Sequence, residues 1–192
     1  MPQAPRRKSA PQPGDERAAP PSPKAGSKPP PKAAVAATPE LPAASGRRIQ
    51  VRRSDVHGKG MYAVQALARG EVLIEYTGER INWPEALRRH PHDPHDPHHT
   101  FYFSIASGQV IDAKHGGNAS RWINHSCQPN CEADETDGRV FIKALRAIKP
   151  GTELFYDYGL VIDDRYTPKL KKQYECRCGA KRCRGTMLAP KR

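Results

Sequence analysis

The chain has 192 residues, with 32 Lys and Arg against 20 Asp and Glu, a formal net charge of +12, 20 prolines and five cysteines. That length holds one ordinary domain with extensions. No apolar run is long enough to span a bilayer, and the opening residues lack the apolar stretch of a secretory signal, so neither a membrane protein nor export by the common route is expected.

The charge is unevenly placed. Residues 1–48 hold 12 of the prolines, no aromatic residue, and nine basic against three acidic side chains, net +6. Such a segment cannot bury enough apolar surface to offset the entropy of ordering, and it reads as a disordered basic tail. Residues 49–164 carry 13 bases and 16 acids, net −3, and residues 165–192 carry ten bases and one acid, net +9. Basic arms around a mildly acidic body point to a polyanion such as DNA, or to an acidic protein surface. A solvated tail with no dedicated partner is the alternative.

In chain order, Ile49-Gln50-Val51-Arg52-Arg53 alternates apolar and basic residues as an edge strand does. The Gly-x-Gly of Gly58-Lys59-Gly60, followed by Met61, by itself marks only a tight turn. Glu71 to Tyr76 reads as a half-buried strand, and residues 84–90 suit one or two helical turns with Pro84 in the first. Residues 90–99 repeat proline too often for helix or central strand. Their five histidines sit on an uncovered loop that does not preorganise a metal site. Phe101 to Ile105 alternates as a strand, with Val110-Ile111-Asp112 as its partner across the Ser107-Gly108 turn. Residues 121–130 crowd Asn, His, Ser and Cys together, and each buried polar group there needs a hydrogen-bond partner of its own. Val140 to Ala144 is a further strand, and Ile148 to Thr152 turns into Glu153-Leu154-Phe155-Tyr156. Short strands, turn punctuation and little helix give a mostly-β fold.

Cysteines stand at positions 127, 131, 176, 178 and 183, and the odd count with tight spacing argues for metal ligation in a reducing compartment, not for disulfides. Cys176, Cys178 and Cys183 put three thiols within eight residues. Structural zinc closes a four-ligand shell, so a distant fourth is needed, and spacing leaves Cys127 and Cys131 both open. Lys181 and Arg182 nearby favour thiolates.

Asn124-His125-Ser126-Cys127-Gln128-Pro129-Asn130-Cys131, together with Glu153-Leu154-Phe155-Tyr156-Asp157-Tyr158, resembles the signature pair of SET-domain protein-lysine methyltransferases, in particular the trithorax and Set1-type branch. The resemblance covers residues 49–188 or so. It implies a SET fold of several small sheets with a pseudoknot, in which the Asn124 segment threads beneath the Tyr158 segment. Periodicity alone does not give that topology. It also implies a SET domain over residues 49–164 and a zinc-binding post-SET segment over 165–192, with Cys127 as the fourth ligand. The implied cofactor is S-adenosylmethionine. Gly58, Lys59, Gly60 and Met61 would meet its methionine end through their backbone, Asn124 its amino-acid end, and His125 its adenine; Leu188 and Met187 would cover the adenine. Tyr158 would be the catalytic tyrosine, with Tyr76, Phe101 and Tyr156 as further walls of a lysine channel and Arg121 and Asp157 as scaffold joining the two motifs.

The implied activity is methyl transfer to a lysine of a histone or other DNA-associated (nucleoid) protein by a monomeric enzyme. A hydroxyl at Tyr156 favours monomethylation, because it can hold a water where a second methyl would go. A chromatin- or DNA-binding module with weak catalysis, and a zinc-stapled interaction protein without cofactor, are the competing readings. The compact core behind an Ala/Pro/Lys-rich tail looks like bacterial members of the family, which implies a protein on the chromosome, in the cytoplasm, or delivered to a host nucleus.

Overall fold

The computed structural model describes residues 47–90 and 100–191. The basic tail read over residues 1–48 thus lies outside the described residues except for Arg47 and Arg48, as does the His/Pro loop except for His90. The chain folds as four small sheets with two short helices, in keeping with the SET fold.

Strand β1 (Ile49–Arg53) pairs antiparallel with β2 (Lys59–Ala63), Val51 opposite Met61. Strand β3 (Val72–Tyr76) follows, then β4 (Glu79–Ile81) and helix α1 (Trp83–Arg89). The helix starts where Asn82 accepts the Glu85 N–H (2.9 Å), with Pro84 in its first turn and Arg88 and Arg89 in its last. Strands β5 (Tyr102–Ser104) and β6 (Val110–Asp112) form the expected hairpin, with β4 on the other side of β6.

A 3₁₀ turn (Ala119–Trp122) leads into β7 (Asn124–His125), and β8 (Cys131–Thr136) with β9 (Arg139–Ala144) completes a sheet with β3. The sequence reading found β9 and missed β8. The signal was present: Asp137-Gly138 takes φ of 52° and 71°, the left-handed pair of a two-residue hairpin turn. Cys131, Ile142, Met61 and Leu154 belong to the main core between these sheets.

The two signature stretches meet as a parallel pair. Strand β10 (Phe155–Tyr156) lies beside β7, Phe155 opposite Asn124 and Tyr156 opposite His125. Two strands of two residues cannot hold each other alone. Asn130, buried, does much of the fastening: its Nδ2 donates to the Glu153 carbonyl (2.7 Å) and its Oδ1 accepts the Phe155 N–H (2.8 Å). The Ser126 N–H donates to the Tyr156 carbonyl (3.2 Å) and the Ser126 hydroxyl accepts the Gln128 N–H (3.1 Å). The polar run is therefore satisfied largely by the second signature stretch, Glu153 to Tyr156. Helix α2 (Pro168–Gln173), capped by Thr167, was not anticipated. Beyond it Tyr174 and Leu188 pack with Ile162 in a small separate core that holds the C-terminal segment down. No helix among the described residues is long and apolar enough to cross a membrane.

Candidate functional site

A cavity of about 310 Å³ opens between the β7/β10 pair, the β5 edge and the C-terminal segment. Tyr76, Phe101, Tyr156 and Tyr158 all line it. Tyr156 stands 4.9 Å from Tyr158, centroid to centroid, and Tyr76 stands 5.4 Å from Phe103, which also lines the cavity. Two of the three hydroxyls are tied to backbone: Tyr76 Oη donates to the Phe101 carbonyl (3.0 Å), and Tyr158 Oη to the Ile123 carbonyl (3.0 Å). The Tyr156 hydroxyl has no hydrogen-bond partner among the described residues. Burial raises the pKa of all three tyrosines, so each is a phenol at neutral pH.

Trp122, given no role from sequence, is also a cavity wall. Its ring meets Phe101 edge-on at 5.2 Å, with Lys59 Nζ at 4.6 Å and the Arg121 guanidinium at 5.1 Å from its centroid. Arg121 donates to the Ala113 carbonyl (2.9 Å). Asn124, also lining the cavity, spends its Nδ2 on the Lys59 carbonyl (2.9 Å) and on Glu153 Oε1 (2.9 Å), and the other Glu153 oxygen accepts the Tyr62 hydroxyl (2.9 Å).

The same arrangement places the residues of the glycine turn. Lys59 lines the cavity, whereas Gly58, Gly60 and Met61 are not among its walls. Gly58 supplies a φ of +42° with open space where a Cβ would be. Gly60 makes room for a carboxylate: a Cβ there would stand 2.1 Å from Glu153 Oε1. Met61 is core, and its carbonyl accepts the Leu154 N–H (2.7 Å). Leu188 is likewise buried behind the site, at 1% exposure, and Met187 is the one that reaches the cavity. The reason is the alternation of an extended chain, which sends neighbours to opposite sides.

His125 lines the cavity and is 4% exposed. Its Nδ1 accepts the Tyr158 N–H (3.2 Å), so the ring proton sits on Nε2, which faces Cys127 Sγ at 3.4 Å. Burial lowers its pKa to about 4, so the ring is neutral at pH 7 and its 3.5 Å approach to Asp157 is no ion pair.

The thiols of Cys127, Cys176, Cys178 and Cys183 lie within 4.8 Å of one another. Cys127 Sγ is 3.6 Å from Cys176 Sγ and 3.9 Å from Cys183 Sγ. Tetrahedral zinc with bonds of roughly 2.3 Å needs edges of about 3.8 Å, so this spacing fits the ion. Cys131 stands apart: it is fully buried in the main core, and burial pushes its thiol up to about 12. The Arg184 N–H donates to Cys127 Sγ (3.4 Å) and the Gly185 N–H to Cys183 Sγ (3.3 Å). Lys181 and Arg182, expected to favour thiolates, are exposed, and the cation tied into the site is Arg184. It grips Asp157 with two nitrogens (2.6 and 2.9 Å), so Asp157 joins its motif to the C-terminal segment and not to Arg121. That segment reaches the cavity itself, through Lys172, Tyr174, Cys176, Arg177 and Met187.

The protein-family model described as SET domain matches residues 58–159, just over half of the chain. The chain belongs to the SET-domain family. It is similar to histone-lysine N-methyltransferase trithorax of Drosophila virilis (39% identical over 140 residues, 71% of this chain and 4% of that protein). It is also similar to histone-lysine N-methyltransferase set-2 of Caenorhabditis elegans (38% over 144 residues, 72% and 9%) and to histone-lysine N-methyltransferase 2B of Homo sapiens (36% over 148 residues, 75% and 5%). The chain thus spans less than a tenth of the length of these relatives. All three are animal proteins, and they lend no support to the bacterial origin read from the tail.

Within this SET domain the fold gathers the four aromatic walls, Lys59, Asn124 and His125 at one cavity, and the four cysteines beside it. Trp122 and Arg121 were legible as members of the motif, but nothing in their spacing marked them as walls.

Proposed function

We propose that this chain is an S-adenosylmethionine-dependent protein-lysine N-methyltransferase, acting on a histone or another DNA-associated protein. The observation that carries the reading is the cavity, where three phenols and Phe101 surround a narrow space while two of the hydroxyls are held by backbone carbonyls. The relatives' names, histone-lysine N-methyltransferase, agree with it.

A lysine attacks only as the neutral amine, and an unperturbed side chain has a pKa of about 10.4. Walls of Tyr76, Phe101, Tyr156 and Tyr158 disfavour the ammonium by desolvation and align the nitrogen. Tyr158, with its proton given to Ile123, turns oxygen lone pairs towards the cavity and acts by orientation and electrostatics, not as a base. Asn124 has committed its Nδ2 to Lys59 and Glu153, which leaves its Oδ1 to accept from an ammonium group. Lys59, Trp122, His125 and Met187 are the other residues that would hold the cofactor, which supplies an electrophilic methyl carried on a sulfonium. Cys127, Cys176, Cys178 and Cys183 would hold a structural zinc that fastens the post-SET segment, residues 165–192, to the SET domain.

Tyr156, its hydroxyl unpartnered among the described residues, offers a site for a water beside the amine, which favours monomethyl product. Lys169, Lys171, Lys181 and Arg182 are exposed with no carboxylate partner among the described residues, and together with the +6 of residues 1–48 they suit contact with DNA on a chromosome. The test is labelled methyl transfer from S-adenosylmethionine to purified core histones. The wild-type chain transfers, and Tyr158→Phe loses about a hundredfold or more of the rate; equal rates in both proteins overturn the reading.

A further inference from the structure

Cys127 receives hydrogen bonds from two directions, and both lead to the same place. One donor is the Arg184 N–H (3.4 Å), and the Arg184 guanidinium holds Asp157 through both of its carboxylate oxygens. The other is His125 Nε2–H (3.4 Å), whose Nδ1 accepts the Tyr158 N–H (3.2 Å). The chain closes the loop, since Asp157 and Tyr158 are consecutive. Strand β10 ends at Tyr156, so it provides no ladder for Tyr158. The polar anchors on Tyr158 are this N–H to His125 and the hydroxyl to Ile123.

We infer that His125 and the Arg184–Asp157 pair are positioning residues that make the four-cysteine cluster and Tyr158 hold each other: filling the cluster sets the tyrosine, and the Asp157 clasp in turn retains the metal. Partners just outside a metal's ligands orient those ligands, and their loss typically costs 10–100-fold in metal affinity. Asp157 gives the cleanest handle, because its hydrogen bonds come from the Arg184 guanidinium and the Gly159 N–H, neither of them a thiol. An effect of Asp157 on the metal therefore has to travel through the circuit.

The inference rests on the lysine-methyltransferase reading only for its activity arm. The experiment follows zinc transfer from the full chain to a chromogenic chelator and, in the same proteins, kcat and KM for a lysine peptide. Asp157→Asn is expected to release zinc about tenfold faster or more, and to lower kcat while the peptide KM stays put. Arg184→Lys keeps the charge and the backbone N–H but loses the two-pronged grip, and it should behave the same way. It serves as the variant of record if Asp157→Asn fails to fold. Zinc release at the wild-type rate in the folded variant, or a chain that holds no zinc, overturns the inference. Faster release in a protein whose wild type transfers no methyl group supports the circuit and counts against the functional reading alone.

Discussion

Gly60 separates two accounts of the glycine turn. In Gly60→Ala the new Cβ would stand 2.1 Å from Glu153 Oε1 and 2.7 Å from Glu153 Cδ, so the carboxylate must retreat by more than an ångström. Retreat breaks its bonds from Asn124 Nδ2 and the Tyr62 hydroxyl, each 2.9 Å long. Hydrogen bonds to a charged group contribute roughly 1.5–3 kcal/mol each, so partial re-formation elsewhere leaves a loss of about 3 kcal/mol. Gly58→Ala meets no atom within 4 Å and bears only the left-handed φ of +42°, a cost of about 1–2 kcal/mol. Urea unfolding of both variants measures the difference. Removing the obstacle should relieve the clash, so Gly60→Ala combined with Glu153→Ala should cost less than the two single changes added, by about 1–2 kcal/mol. Calorimetry should also show weaker S-adenosylmethionine binding in Gly60→Ala, because Asn124 loses Glu153, one of the partners that fix its amide. Equal destabilisation by the two alanines, or strict additivity with Glu153→Ala, refutes the packing account and returns Gly60 to a direct cofactor role.

Cys127→Ser should lower zinc content, by metal analysis of the purified protein, together with activity. Cys131→Ser should keep its zinc yet unfold at lower temperature, because it sets a hydroxyl in an apolar core, typically a loss of about 1–3 kcal/mol. Tyr156→Phe removes the free hydroxyl and should shift the product from mono- to di- or trimethyl-lysine by mass spectrometry; a wild-type enzyme that runs efficiently to trimethyl-lysine contradicts the water argument. Deleting residues 1–45 should leave turnover on a short peptide unchanged while weakening DNA binding and flattening its salt dependence, and loss of peptide turnover would place the domain boundary elsewhere.

Much of the fold was legible because its signals are local. Alternation marked β1, β3 and the β5–β6 hairpin, and Pro84 marked α1. The miss at β8 was avoidable, since Asp137-Gly138 is a strong hairpin signal. The site divides differently. The tyrosines, Asn124 and the cysteines carry chemistry in their residue types, so they could be named from sequence, three thiols by spacing alone, and the fold brings them to one cavity and the thiol cluster beside it. Where the side chains of Gly60, Met61 and Leu188 lie was not legible, because sequence does not say which way a short extended segment faces; that is decided by tertiary neighbours such as Glu153 and Tyr174. Asp157–Arg184 joins residues 27 apart in sequence, and no periodicity reports such a pair.

The most direct test is the mass of a histone-tail lysine peptide after incubation with the full chain and S-adenosylmethionine, beside the same peptide with each lysine replaced by arginine. The account predicts an added mass of one methyl group, about 14 Da, on the lysine peptide, none on the arginine peptide, and none from Tyr158→Phe within the same time. Methyl transfer to the arginine peptide, or undiminished transfer by Tyr158→Phe, would contradict it.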